Sequence, residues 1–280
     1  MIPPLIVGFI SDLYFTVKVE NVARQLGYRV QWIESADELG PAADPALPNR
    51  PGEPLQGLNG RLLDQLTAWQ PALLIFDLGH PAIPWREWIA ILKSSPATRR
   101  LPILCFGSHV DVAASQAAKD AGAEAVVARS RFVTALPELI QQYARRPDYP
   151  AILAACQEPL SAAARKGLVY FNQGEYFEAH EELEQAWKED AGPGRDLYRA
   201  ILQVAVAYLQ IQRGNYNGAA KMFLRMRQWF EPLPDTCRGV EVAQLCADAA
   251  AVRETLLALG PERLKELDRK LLKPVVYREA

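Results

Sequence analysis

The chain has 280 residues, 50% hydrophobic and 23% charged, which is enough apolar material for two cores and excludes wholesale disorder. Lys and Arg number 31 against 33 Asp and Glu, so the net charge is −2; neither half carries the basic surplus that a phosphate backbone requires, and nucleic acid is excluded as the expected partner. No apolar run approaches the roughly 18 residues of a membrane helix, so no membrane partner is expected. The opening MIPPLIVGFISD lacks the basic start and small-residue cleavage site of a signal peptide. Cys105, Cys156, Cys237 and Cys246 form no CxxC pair, which points to reduced thiols and a cytoplasmic setting.

Residues 1–146 alternate two patterns. LIVGFIS (5–11) reads as a strand and FTVKVENVARQLG (15–27) as a helix stopped by Gly27. YRVQWIES is a second strand, RLLDQLTAW a helix ended by Pro71, and ALLIFDL (72–78) an apolar third strand. PWREWIAILKSS (helix), LPILCFG (strand), DVAASQAAKDAG (helix), AEAVVA (strand) and TALPELIQQYARR (helix) complete the series. Five buried strands alternating with five helices predict an α/β domain with a parallel sheet covered on both faces. Between Gly40 and Gly57, prolines at 41, 45, 48, 51 and 54 break both periods and predict a surface loop.

ARRPDYPA (144–151) reads as a linker, after which residues 152–280 predict helices only. These are LSAAARKGLVYFNQG, YFEAHEELEQAWKED, RDLYRAILQVAVAYLQIQRG, YNGAAKMFLRMRQWF, VEVAQLCADAAAVRETLLALG and PERLKELDRKLLK, the last opened by Pro261. A repeat, GxYxxAxxx(Leu/Phe), spans Gly174–Leu183 and Gly214–Phe223, 40 residues apart. Two copies describe two helical hairpins, of the kind that stack in tetratricopeptide units, and predict a compact helical bundle.

The layout of the first half, with Asp77 closing strand three in IFDLGHPAIPW and AGAEAVVARSRF at 121–132, resembles the receiver domain of bacterial two-component response regulators. The resemblance implies a flavodoxin-like sheet of order 2-1-3-4-5 and makes Asp77 the phospho-acceptor position. It also implies an acidic pair that holds Mg²⁺ beside the acceptor, with Ser/Thr and Lys on the phosphoryl group. Here the acidic pair falls on Ile10 and Ser11, leaving only Asp12 nearby. Gly107 stands at the Ser/Thr position with Ser108 following, and Arg129 replaces the Lys. One or two carboxylates make a poor Mg²⁺ site, so a phosphorylation-incompetent pseudo-receiver is expected.

In the second half FNQGEYFEAHEELEQAW (171–187) and AILQVAVAYLQIQRGNYNGA (200–219) resemble the domain-of-unknown-function family numbered 309. The matching positions are Phe171, Asn172, Gly174, Tyr176, Phe177, Glu178, Ala179, His180, Glu181, Glu184 and Trp187. The resemblance implies a small helical bundle and no settled activity. Read physically, Tyr176, Ala179, Leu183, Ala186 and Trp187 form a buried stripe, and His180 and Glu184 are i,i+4 neighbours beside it. Gln203 sits inside an apolar run and needs a partner, for which Glu178, His180 or Glu184 across the hairpin are the natural choices.

These readings converge on a non-catalytic regulatory or adaptor protein, with no cofactor, no catalytic residue and an unspecified protein partner. A homodimer is expected through the receiver-like domain, using Ala113–Ala118 and Leu136–Tyr143. The competing class is a metal-dependent hydrolase with His180, Glu181 and Glu184 as ligands, a donor set suited to Mn or Fe.

Overall fold

The computed structural model describes residues 3–40 and 55–278, and the proline-rich expectation for 40–57 lies almost wholly outside them. The described chain falls into two compact units, one ending at Arg146 and the other beginning at Pro147.

The first unit contains β1 (Leu5–Phe9), α1 (Leu13–Gln25), β2 (Arg29–Trp32), α2 (Gly57–Trp69), β3 (Leu73–Asp77) and α3 (Trp85–Ser94). It continues through β4 (Ile103–Gly107), α4 (Val112–Asp120), β5 (Ala125–Ala128), α5 (Arg129–Thr134) and α6 (Leu136–Tyr143). The strands form one sheet of order β2-β1-β3-β4-β5, and the parallel register runs through Ile6–Leu73, Leu74–Ile103 and Leu104–Ala125. This is the flavodoxin-like order that the receiver resemblance implies.

β1, β3 and β4 are buried along their whole length, as their unbroken apolar runs require; β2 and β5 are edge strands and only partly covered. Alternate strand residues serve opposite faces. Ile6, Ile75, Leu104 and Phe106 pack with Phe15 and Val19 of α1 and with Phe132, Leu136, Leu139 and Ile140. Their neighbours Phe9 and Phe76 stack at 4.1 Å, with Trp88 of α3 edge-on to Phe9 at 5.5 Å. The apolar residues of α6 therefore face their own core, which removes them from the dimer surface expected above.

The second unit contains α7 (Tyr149–Ala155), α8 (Ala162–Gln173), α9 (Tyr176–Glu189), α10 (Asp196–Gln212) and α11 (Tyr216–Phe230). A short hairpin of β6 (Thr236–Cys237) and β7 (Val240–Glu241) follows, then α12 (Val242–Leu259). The expected linker extends less far than the sequence suggests, because Asp148 caps α7 by accepting the Ala151 N–H at 3.1 Å. The helix expected at 261–273 reduces to two short 3₁₀ turns, at Leu264–Glu266 and Arg269–Leu271.

The repeat is visible as two equivalent hairpins. Gly174 and Gly214 take positive φ (81° and 70°) just past α8 and α10, where side-chain-bearing residues would be strained. Ala179 and Ala219 are fully buried, as are Leu183 and Phe223. Together α8–α11 enclose one core with Phe171, Tyr176, Tyr198 and Tyr208.

Cys156 and Cys237 form a disulfide, with Cys105 and Cys246 free. This corrects the expectation that all four thiols are reduced and removes that support for a cytoplasmic setting. The two Cα atoms lie 4.4 Å apart at a sequence separation of 81, which no sequence spacing could have shown. Among the described residues, no helix is long and apolar enough to cross a membrane.

Candidate functional site

Asp77, expected from the sequence at the acceptor position, ends β3 and is 6% exposed. Its Oδ1 accepts the Gly79 N–H at 2.9 Å, and Arg129 Nη2 lies 3.3 and 3.5 Å from the two carboxylate oxygens. Arg129 begins α5 and also sits 5.9 Å from the Phe15 ring. Gly79 makes room for this pair, because a Cβ there would stand 2.5 Å from Arg129 Nη2. Arg129 is thus brought to Asp77 as expected, while the role of Gly79 was not legible from sequence.

The other two residues expected near the acceptor do not join it. Asp12 is exposed, and its carboxylate caps α1 by accepting the Tyr14 N–H at 2.9 Å. Ser108 is half-buried and has no hydrogen bond to Asp77. Ile10, at the position of the first acidic residue, is fully buried and apolar. His80 next door is buried; its Nδ1 accepts the Ala82 N–H at 3.2 Å, and its Nε2 has no partner among the described residues.

On the helical unit, Tyr176, Ala179, Leu183 and Ala186 form the expected buried stripe. Trp187, half-buried, instead stacks with Arg199 of α10, whose guanidinium carbon lies 4.3 Å from the Trp187 ring and 4.1 Å from Trp229. This sandwich was not legible from local pattern, since its members are 12 and 30 residues apart on three helices.

The polar network expected around Gln203 does not form. Glu178 and Glu181 are exposed, His180 is half-buried, and Glu184 pairs with Lys188 at 2.9 Å along its own helix. The Lys188 hydrogen bond is the main cause that holds the Glu184 carboxyl below its ordinary range, with His180 adding a smaller contribution. Gln203 is buried, but its Oε1 has no hydrogen-bond partner among the described residues. The reason is geometric: His180 and Glu184 lie on the solvent side of the α9 stripe, whereas Gln203 lies inside the core. Among the described residues, no group of three or more His, Cys, Asp and Glu side chains is arranged to hold a metal ion, His180, Glu181 and Glu184 included.

Asn172 of the family-like motif has a structural role. Its side chain donates to the Val275 carbonyl at 3.0 Å and accepts the Val275 N–H at 2.7 Å, pinning the C-terminal segment to α8. A buried polar centre lies beside the disulfide. The Arg238 guanidinium donates to the Ala155 carbonyl (3.1 Å), Asp190 (2.7 Å), Glu158 (3.0 Å) and the Tyr198 hydroxyl. Four acceptors around one buried fork satisfy a charge that could not otherwise be buried.

A family model described as a domain of unknown function, DUF309, matches residues 164–222. No curated protein matches the chain. Among solved structures the chain is similar to a response regulator of red light signalling from R. palustris (15% identity, TM-score 0.36), covering 50% of this chain and 93% of that one. It is also similar to the receiver domain of a sensor histidine kinase from Pseudomonas aeruginosa PAO1, with 13% identity and TM-score 0.38, covering 50% of this chain and 97% of that one. A signal receiver domain from Bermanella marisrubri gives 19% identity and TM-score 0.37, covering 50% and 96%.

Proposed function

We propose that the protein is a non-catalytic regulator or adaptor whose receiver-like unit works without phosphorylation and whose helical unit engages a protein partner. The observation that carries this reading is the Asp77 pocket. A receiver-type transfer needs a divalent metal beside the acceptor, and such a metal needs two or more anionic oxygens. Here a guanidinium already neutralises Asp77, Ile10 supplies no carboxylate, and Asp12 is committed to a helix cap. With the acceptor charge-paired to Arg129 and no second carboxylate held beside it, regulation in this reading passes through binding and not through a covalent mark.

In the same reading the receiver-like unit self-associates through α4, whose Ala113 and Ala117 are at least partly exposed, and not through α6. A cytoplasmic setting belongs to the same reading, and the redox state of the Cys156–Cys237 pair in cells tests it. The test is incubation with acetyl phosphate and Mg²⁺ followed by intact-mass measurement. No added phosphoryl group is expected; an added group that Asp77→Ala abolishes overturns the proposal. Light scattering that returns only a monomer removes the self-association.

A further inference from the structure

We propose that the helical unit carries a groove for an extended, basic peptide segment of a protein partner, and that residues 273–278 of this chain lie in that groove as its resident competitor. The proposal rests on the reading that this unit engages a protein partner, and it names the place and the chemistry. The groove is built to read backbone. On one side the Asn172 amide, in the last turn of α8, donates to the Val275 carbonyl and accepts the Val275 N–H, as a residue of a neighbouring strand would. On the other side β7 pairs antiparallel with the segment: Val240 bridges Tyr277, and the Glu241 N–H donates to the Val276 carbonyl at 2.9 Å. The Arg278 N–H donates to the Gly239 carbonyl at 3.0 Å. A Cβ on Gly239 would stand 2.5 Å from the Arg278 oxygen, so glycine is what lets the segment approach there. Main-chain bonds of this kind suit any extended segment, and side-chain pockets choose among them.

Two features set the choice. Val275 is 3% exposed and belongs to the helical core, while Pro274 and Val276 on either side of it are exposed, so one apolar side chain is read. Charge is read at both ends: Lys273 Nζ lies 2.7 Å from Asp248, and Arg278 lies 3.4 Å from Glu241. Asp248 is buried, and its other partner is the neutral Gln244 amide. A segment that displaced Lys273 without bringing a cation would strand that buried carboxylate. The fitting ligand is therefore an extended segment with a cation, an apolar residue two places later and a second cation three places beyond that.

The resident segment is lightly held. It forms no helix and only a single bridge, and its release uncovers one fully packed side chain, which places it among the regions that open first. Its tether gives it an effective concentration on the order of millimolar. That keeps weak competitors out and yields to a partner segment that binds the same groove more tightly.

Fluorescence anisotropy with the full chain tests the groove, using a labelled peptide LKPVVYR, the sequence of residues 272–278, and a charge-reversed control, LEPVVYE. The variant Lys273→Glu/Val275→Asp sets one carboxylate against Asp248 and another into the core, and should release the resident segment. It is expected to bind the first peptide about tenfold more tightly than the wild type does, and the control not at all. Adding Asn172→Ala or Asp248→Asn to that variant should each weaken binding about tenfold, the scale of a paired or charge-assisted hydrogen bond. In the wild type, excess peptide should speed hydrogen exchange at the Val275 and Arg278 amides and leave the Glu241 amide protected. Melting curves show whether each variant is folded; where one is not, the exchange measurement on the wild type decides. Equal binding of the two peptides, no gain in the folded released variant, or unchanged exchange at Val275 and Arg278 overturns the proposal. A wild-type dimer that the released variant loses also overturns it, because the segment then passes between two copies. None of these outcomes bears on the Asp77 pocket, which the phosphorylation assay tests separately.

Discussion

Removing the Cys156–Cys237 bond gives the sharpest test of the helical unit. The two cysteines are 81 residues apart, and the loop they close contains α8, α9, α10 and α11. In the chain-entropy relation a loop of that length contributes about 4.5 kcal/mol at 25 °C, by restricting the unfolded chain. Both sulfur-bearing residues are buried, Cys237 wholly and Cys156 to 4% exposure, so the double variant Cys156→Ala/Cys237→Ala also loses a little packing. A unit of this size loses roughly 3 °C of melting temperature per kcal/mol. The double variant, and the wild type under strong reductant, should therefore melt about 12–15 °C lower in the helical transition. Far-UV circular dichroism follows that transition, and a thiol titration in denaturant without reductant should count two free thiols, Cys105 and Cys246. Four free thiols, or a variant that melts within about 3 °C of the oxidised wild type, would refute the reasoning.

Arg238→Met should cost about 3–5 kcal/mol in urea unfolding, because Asp190, the Tyr198 hydroxyl and the Ala155 carbonyl all lose their donor in a buried place; a loss below about 1 kcal/mol contradicts the role given to that fork. Tyr208 is fully buried, and burial first, then Tyr176 and Asp248, pushes its phenol far above the ordinary range. The folded state thus holds a proton that the unfolded chain releases near pH 10, so stability should fall as the pH rises past about 10, and Tyr208→Phe should lessen that fall. At pH 7 the same variant should be neutral or slightly stabilising, since the hydroxyl has no partner among the described residues; a clear loss would show that it has one.

The fold was legible because its signals are local and agree with one another. Runs such as LLIF and ILCF are apolar on both faces only when a sheet is covered on both sides, and the glycines at 174 and 214 mark helix ends by their own backbone preference. Long-range pairings leave no such mark. The disulfide, the Arg199 sandwich and the Arg238 fork join residues 12 to 83 positions apart, and each partner looks ordinary in its own segment. The segment at 261–273 misled for the opposite reason. PERLKELDRKLLK has helical composition, but only Leu264 and Leu267 of its apolar residues are buried, so nothing sustains a full helix beyond single turns.

Gln203 shows how a correct inference about burial can carry the wrong sign for stability. The lone amide in AILQVAVAYL is buried, as its apolar run implies, and a partner across the hairpin would make Gln203→Leu destabilising. Such a partner requires the i,i+4 carboxylate and imidazole of α9 to turn toward the core. On α9 the core side is already filled by Tyr176, Ala179, Leu183 and Ala186, and Glu184 turns outward to Lys188. Gln203 Oε1 is left buried without a hydrogen bond, among Ala200, Val204 and Ala207, all fully buried. An unpaired buried acceptor costs about 1–3 kcal/mol, and leucine of similar size removes it while adding apolar surface to the same space. Gln203→Leu should therefore leave the protein as stable or more stable by about 1 kcal/mol, as read by urea unfolding at pH 7. His180→Ala, at a half-exposed position outside that core, should change stability by less than about 0.5 kcal/mol. A loss of more than about 1 kcal/mol in Gln203→Leu would mean that the amide has a partner within the bundle, and it would restore the buried network that the outward-facing Glu184 argues against.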